Sequence, residues 1–366
     1  RTPDFESGTF DHSATSPRRA DYSPRPQTPP NRLLPMTQTK QSIAVVGAGL
    51  AGVTCALQLQ SAGHAVVLYE KSRGAAGRMS TRRDGDWQAD HGAQYFTARG
   101  DAFKAQVDQW ASAGLVSTWR ARIGELTAAQ PFQWVAKPGP TRYVATPGMN
   151  SLVRSMANQL NLQINTTITR IERGQEGWLL YSKEQDTALP AVQFVVFAIP
   201  APQLVAFDSV LPSPWITQAS QTRFDPCWAS LVGFQQPLDL PFDALFINEG
   251  PLSWIARNHS KPGRTGPETW TLHASPEFSA QTIERDGQDL QTEILTAFAQ
   301  ITTVQPVWTQ IHKWRYALSH PAAESGEPAL WDAQMRLGVC GDWLADGRIE
   351  GAWRSGQACA TLVLEG

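Results

Sequence analysis

Residues 43–71 read IAVVGAGLAGVTCALQLQSAGHAVVLYEK. Ile43 to Val46 form a short, largely β-branched run, the pattern of a strand buried on both faces of a parallel sheet. Gly47, Gly49 and Gly52 follow in G-x-G-x-x-G spacing. A helix is expected from about Leu50 to Ala62, with Val53, Ala56, Leu57 and Leu59 at helical spacing. Gly63 stops it, and AVVLYE makes a second strand ending at Glu70. Each part suits a bound dinucleotide. Gly47 permits the tight turn, Gly49 lets the backbone approach a pyrophosphate, and Gly52 allows close helix–strand packing. The helix start at Leu50 and Ala51 offers unpaired N–H groups and a partial positive charge to the phosphates. Glu70 is placed to accept hydrogen bonds from both ribose hydroxyls of an adenosine, and its charge would repel a 2′-phosphate, so the nucleotide held here is not NADP. The glycines alone would also suit a turn in an unrelated α/β protein. Strand, helix, second strand and terminal acid in one register favour the dinucleotide site.

Directly after Glu70 comes KSRGAAGRMSTRR, then DHGAQYF. A plain NAD domain has no need of such a basic, glycine-rich extension. Lys71 opens it, Arg73 and Arg78 could hold phosphate oxygens in a fixed fork, and Gly74 and Gly77 would let the loop pass close to a ligand. The same residues could form a solvated basic loop. The other end of the chain, RLGVCGDWLADGRIEGAWRSGQACATLVLEG, reads as an apolar strand over Leu337–Cys340, then Gly341-Asp342, then a loop and a helix from near Gly351 towards Leu364. A carboxylate at the end of a strand can bind a ribityl hydroxyl chain. A helix start at Gly351 and Ala352 offers N–H groups to a ring oxygen that carries negative charge in reduced flavin.

Taken together, these three motifs resemble the flavin amine oxidase superfamily of FAD-dependent oxidoreductases. GRMSTRR, DHGAQYFTAR, VVFAIPAPQ and KWRYAL are similar to the renalase group, especially its bacterial members. The resemblance covers about residues 42–366 and is most specific in GVCGDWLADGRIEGAWRSG. It implies an α/β fold of the p-hydroxybenzoate hydroxylase type, in which a Rossmann-type FAD-binding domain is joined to a second, antiparallel-sheet substrate domain. It also implies non-covalent FAD, with Gly47, Gly49, Gly52, Glu70, Arg78, Asp342 and the Gly351–Ala352 helix start as contacts. Ile168 falls where a backbone group of the superfamily commonly meets adenine. Cys340 precedes Gly341-Asp342 but sits in an apolar strand, where a small hydrophobe is expected rather than a flavin thioether.

The expected organisation is discontinuous. Residues 41–100, 145–200 and 334–366 are assigned to the FAD-binding domain, and 101–144 and 201–333 to the substrate domain. Residues 1–40, rich in Pro, Ser, Thr and Arg, show no apolar period and are expected to be a disordered leader, with Met36 a possible true start. No run of 18 apolar residues follows, so no membrane span is expected. The formal charge of -2 leaves no basic excess for nucleic acid. Four scattered cysteines without a C-x-x-C pair fit a reduced compartment, and a soluble, cytoplasmic protein is expected.

The substrate pocket is the least legible part. His312, Trp314 and Tyr316 would share one face of a strand in HKWRY, with Lys313 and Arg315 on the other. Three rings suit a planar cationic or amphiphilic substrate, although a half-buried strand with solvated cations has the same pattern. The resemblance favours Trp314 as a wall of the flavin pocket. His273 in TLHAS is either a satisfied core histidine or, by resemblance, a pocket residue. Tyr95 could form an aromatic wall against the flavin, and Gln94 could bond the pocket edge. The chain has no second G-x-G-x-x-G after a strand, so electrons should come from a substrate bound at the flavin face and leave to O2 or another small acceptor. The resemblance implies oxidation of 2- or 6-dihydro-NAD(P), with hydride transfer to flavin and release of H2O2. An amine oxidase or desaturase, and a flavoprotein that binds FAD without turnover, remain as alternatives.

Overall fold

The first strand, β1, is Ser42–Val46, the helix α1 is Leu50–Ser61 and the second strand, β2, is Ala65–Tyr69. The computed structural model describes residues 40–126, 133–320 and 326–366, so the leader expectation lies outside it except at Lys40. β1 pairs in parallel with β2 on one side and with Phe194–Phe197 on the other. This makes β1 an interior strand, as its unbroken apolar run requires. Leu337–Cys340 adds in parallel beyond Phe194–Phe197, so the C-terminal strand lies two places from the N-terminal one in a single six-stranded sheet. Asn161–Gln163 closes one edge. Ala329–Asp332 closes the other as its only antiparallel member among the described residues.

Both faces of this sheet are covered, as a parallel sheet demands. On one side α1 packs on the C-terminal helix Ile349–Glu365 and on Met149–Ala157, around buried Val53, Leu59, Leu152 and Val363. On the other side lie the hairpin Ile168–Arg173 and Trp178–Ser182 and the helices Ala201–Leu204 and Ser213–Gln221. Residues 201–221 thus pack under the first sheet, and 329–332 belong to it, although both segments had been expected in the second domain. Apolar Ala201, Leu204, Phe207 and Ala219 bury against Val195 and Phe197, which a fully apolar strand needs on each face.

The second sheet has seven strands in the order Trp308–His320, Arg223–Phe234, Glu268–Ala274, Leu252–Arg257, Ala244–Ile247, Ile123–Leu126 and Trp134–Ala136. It is antiparallel except where Ile123–Leu126 joins Ala244–Ile247 in parallel. That strand follows the short strand Val116–Thr118, which pairs with Tyr143–Ala145, and is not joined to Ala244–Ile247 by a hairpin, so its direction is free of the antiparallel rule. Helix Gly287–Phe298 covers the far face through Leu290, Ile294 and Phe298. No helix among the described residues is long and apolar enough to cross a membrane.

Candidate functional site

The glycine turn forms as its chemistry requires. Gly47 has φ +107°, and its N–H donates to the Tyr69 carbonyl. A Cβ on Gly52 would sit 2.0 Å from the Gly47 carbonyl oxygen, so the turn and α1 can meet only because that side chain is absent. Gly49 caps α1 with no side-chain partner for the first N–H groups, and a Cβ there would stand in open space. Gly49, Leu50 and Ala51 line a cavity of about 1770 Å³, well beyond the roughly 300–1,000 Å³ of an ordinary small-molecule site. Gly52 does not line it and acts through packing.

Glu70 is buried at the end of β2 and lines the same cavity. Its two oxygens accept from the Ala48 and Ser72 amides at 2.8 Å each. The carboxylate therefore locks the glycine turn to the start of the basic loop and keeps a second lone pair on each oxygen for a ligand hydroxyl. Lys71, Arg73, Gly77 and Arg78 follow along the cavity wall, and Gly77, at φ +52°, brings the loop to Gly49. Arg78 grips Asp342 through two bonds of 2.8 and 2.5 Å, and Ser319 donates to the same carboxylate. This bidentate pair joins the two ends of the chain across the cavity. Ile168 lines it as well.

At the C-terminal helix the structure differs from expectation. The helix begins at Ile349, two residues before the expected start, because Glu350 is drawn into its first turn. That carboxylate is buried and accepts the Arg99 and Gly100 amides at 2.8 Å, capping the neighbouring helix Asp101–Ser112. The Ala352 N–H already donates to the Arg348 carbonyl, so Ala352 touches the cavity without offering an amide. Gly351 does not line the cavity; a Cβ there would meet Asp346 Oδ1 at 2.1 Å, which makes it a close-packing position. Gly347, Arg348 and Ile349 form this wall instead.

Gln94 also faces elsewhere. It is buried, donates to the Asp90 and Gly92 carbonyls and accepts from Lys261 Nζ at 3.0 Å. It belongs to an ion cluster behind the site. There Asp90 pairs with Lys261 at 3.2 Å and with Arg264 at 2.6 Å, and also accepts from Thr81 Oγ1 and the Met149 amide.

At the far end of the cavity, His273 Nε2 donates to the His91 carbonyl at 3.2 Å, and Trp314 Nε1 donates to the same oxygen at 2.9 Å. One backbone atom of DHGAQYF thus seats both pocket residues. Trp314 stacks on the His91 ring at 5.1 Å and meets His312 edge-on at 4.4 Å. Tyr95 lines the cavity but packs with Trp119 and Trp254, with Arg142 over its ring, so it forms a separate wall. Tyr316 lines the cavity as well and meets Phe224 edge-on at 5.7 Å. His91 and Arg82 were missed as site residues by sequence reasoning, and His312 had been read only as part of a ring face. Arg82 donates to His312 Nδ1 at 3.2 Å, so that nitrogen is the acceptor and the neutral ring carries its proton on Nε2.

All three histidines are held neutral. Burial, reinforced by His312 and Arg82, pulls His91 down to about 3; burial and Arg82 pull His312 to about 4, and burial takes His273 to about 4. Their folded values lie below the ordinary 6.5, so the unfolded chain binds more protons between pH 6.5 and 4, and stability falls with pH across that window. Thermal unfolding followed by tryptophan fluorescence is expected to show a flat midpoint above pH 7 and a steady decline below 6.5. Replacing His91 and His312 by asparagine should flatten that decline; an unchanged slope would contradict the assignment.

The cavity's glycine cradle, capped by unpaired helix amides and flanked by Glu70 and arginines, fits a dinucleotide carrying a diphosphate. Residues 45–110 match the NAD(P)-binding Rossmann-like domain, and residues 110–364 match flavin containing amine oxidoreductase. The chain belongs to the flavin-containing amine oxidoreductase family. FAD is the cofactor for which the cradle is built. L-amino-acid oxidase from Siganus canaliculatus is 44% identical over 62 residues, 16% of this chain and 12% of that protein. The Crotalus adamanteus L-amino-acid oxidase is 37% identical over 75 residues, 20% of this chain and 14% of its own length. The chain thus spans about an eighth of the curated relatives it matches. Putrescine oxidase bound to putrescine has a similar fold, with TM-score 0.69 at 13% identity, covering 89% of this chain and 99% of that one. Cyclohexylamine oxidase from Brevibacterium oxydans IH-35A gives 0.67 at 13%, again over 89% and 99%.

Proposed function

We propose that the protein is a renalase-like oxidase that returns 2- or 6-dihydro-NAD(P) to NAD(P)+, with O2 as acceptor and H2O2 as product. The observation that carries this reading is the charge of the cavity. Eleven Arg and Lys side chains line it against three carboxylates, Glu70, Asp225 and Asp342, in a chain whose net charge is -2. Glu70 and Asp342 are tied to the cofactor cradle together with Lys71, Arg73 and Arg78. Arg315 pairs with Glu284 and Asp225 with His320 at 2.6 Å, which leaves Arg82, bonded to His312 beside Trp314, without a carboxylate among the described residues. The chamber beside Trp314 therefore suits an anionic substrate, such as a dinucleotide carrying a diphosphate, better than a protonated amine.

Bound FAD supplies a two-electron acceptor for hydride, which O2 then reoxidises. The chain's part is to bind and orient. Trp314, held by its Nε1–H on the His91 carbonyl, offers a flat wall to a nicotinamide ring. His273 is fixed beside it on the same oxygen, with Nε2 as donor and Nδ1 left as a neutral acceptor. His91 and His312 stay uncharged and withhold protons, as hydride transfer needs orientation more than acid–base help. Non-covalent attachment agrees with Cys340, which is fully buried with its Sγ within 4.8 Å of those of Cys55 and Cys359. Four free cysteines suit a cytoplasmic setting.

Mixing the flavin-loaded protein anaerobically with 6-dihydro-NAD should bleach the flavin absorbance, and admitting air should restore it with one H2O2 per turnover. Changing Trp314 to Ala should slow bleaching by about tenfold to a hundredfold while FAD stays bound. Equal loss of FAD would refute the wall assignment. The family description supports a second reading, an amine oxidase or desaturase. Peroxide release driven by amines, with no response to dihydronicotinamides, would establish it. A flavin that no donor reduces would leave a binding protein.

A further inference from the structure

The wall strand Thr81–Asp84 leaves the cofactor loop and runs alongside Trp308–His320, where Asp84 accepts from Trp308 Nε1 and Gln310 Nε2 at 2.9 Å. Arg82, two residues before Asp84, reaches His312 farther along the same strand and lines the cavity. Of the other cations in this stretch, Arg78 is committed to Asp342, Lys71 and Arg73 lie in the cofactor loop, and Arg83 is exposed beside Gln88. Arg264, Arg257 and Arg315 likewise pair with Asp90, Glu268 and Glu284. Arg82 has no carboxylate partner among the described residues. The one acceptor shown for it is the neutral ring of His312, which uses one of its five N–H donors. A half-buried guanidinium in a chamber wall, seated by an uncharged ring, is left with charge and a donor fork for a ligand.

We propose that Arg82, seated by His312, is the anchor for a phosphate oxyanion of the substrate at the Trp314 end of the cavity. This rests on the dihydronicotinamide reading and deepens it. The anchor joins the second sheet, not the glycine cradle, so its anion belongs to the substrate and not to the cofactor's diphosphate. His312 acts as a positioning residue, its Nδ1 fixing the plane of the guanidinium. The oxyanion could come from the bridging diphosphate or from the 2′-phosphate of a phosphorylated dinucleotide, and the two sources are separable with defined substrates.

The test compares anaerobic flavin bleaching by 6-dihydro forms of nicotinamide riboside, the mononucleotide, NAD and NADP. The wild-type protein should show an apparent KM for the phosphate-bearing compounds at least about tenfold below that for the riboside. Arg82→Gln should collapse that preference to within about threefold, and Arg82→Lys should keep part of it. A preference that begins at the mononucleotide assigns the bridging phosphate, and one confined to NADP assigns the 2′-phosphate. No preference in the wild type, or an undiminished one in Arg82→Gln, overturns the anchor. Should Arg82→Gln fail to fold, ionic strength decides on the wild type: KM should climb with salt for the mononucleotide and not for the riboside, and parallel behaviour overturns the proposal. Should no isomer bleach the flavin, the functional reading itself fails. Titration of inorganic pyrophosphate against tryptophan fluorescence then decides the anchor: binding about tenfold weaker in Arg82→Gln supports it, and equal binding overturns it.

Discussion

Glu70→Ala is expected to purify without colour and to take up FAD with a Kd raised by at least roughly a hundredfold, about 3 kcal/mol. Two losses combine in it. The first is the ribose contact: a hydrogen bond to an ionised acceptor contributes about 1.5–3 kcal/mol, and two hydroxyls face this carboxylate in the proposed complex. The second is visible in the protein alone. The same oxygens hold the Ala48 amide in the glycine turn and the Ser72 amide at the start of the basic loop. Removing them loosens both walls of the cradle before any ligand arrives, so the bound state must also reorder them. Glu70→Gln is the instructive partner, because its single carbonyl can serve one amide but carries no charge. It should fall between wild type and Glu70→Ala. Isothermal titration of the FAD-free proteins measures all three. An unchanged Kd in Glu70→Ala would remove the adenosine end of the cofactor from this pocket.

How much of this was legible beforehand depends on how far apart the cooperating residues lie in the chain. The β1–α1–β2 unit was readable because its constraints are local: a turn at φ +107°, a helix that must touch the turn, and an acid at the next strand's end. The Gly341-Asp342 pair was readable for the same reason. The histidine chamber was not. His91 and Trp314 are 223 residues apart, and Arg82 and His312 are 230 apart. Their meeting follows from the position of an edge strand beside the cofactor loop, and no residue spacing records it. Local signals also misled where one side chain had two uses. Gln94 reads as a pocket amide, yet an amide with both donor and acceptor can equally complete a buried ion cluster, and Lys261, from a distant loop, decided the matter. Glu350 reads as a loop acid, yet a carboxylate is favourable in a helix's first turn, and there it moved the helix start back to Ile349.

The cluster that captured Gln94 carries the largest expected effect on stability. Asp90→Ala should destabilise the protein by about 3–5 kcal/mol, a large share of the roughly 5–15 kcal/mol that holds a typical native fold. Burial alone would push the Asp90 carboxyl up, but Lys261, Arg264, the Met149 amide and Thr81 together hold it well below the usual carboxylate range. In the other direction, burial draws Lys261 down to about 8 against the attraction of Asp90. With the carboxylate gone, an ammonium with no exposed surface and a nearly buried guanidinium face each other without a counter-ion. The cost arises from that uncompensated charge, so it should be relieved by removing charge elsewhere. Asp90→Asn with Lys261→Met should be more stable than Asp90→Asn alone, and urea unfolding measures the difference. A simple loss of packing would instead make the double variant the weaker. The same substitution should reach the chemistry, because Asp90 adjoins His91, whose carbonyl seats both Trp314 and His273. Asp90→Asn that still binds FAD should therefore show slower flavin reduction with cofactor affinity largely retained. An ion cluster outside the cavity would thus act on the substrate end of the site through one backbone oxygen.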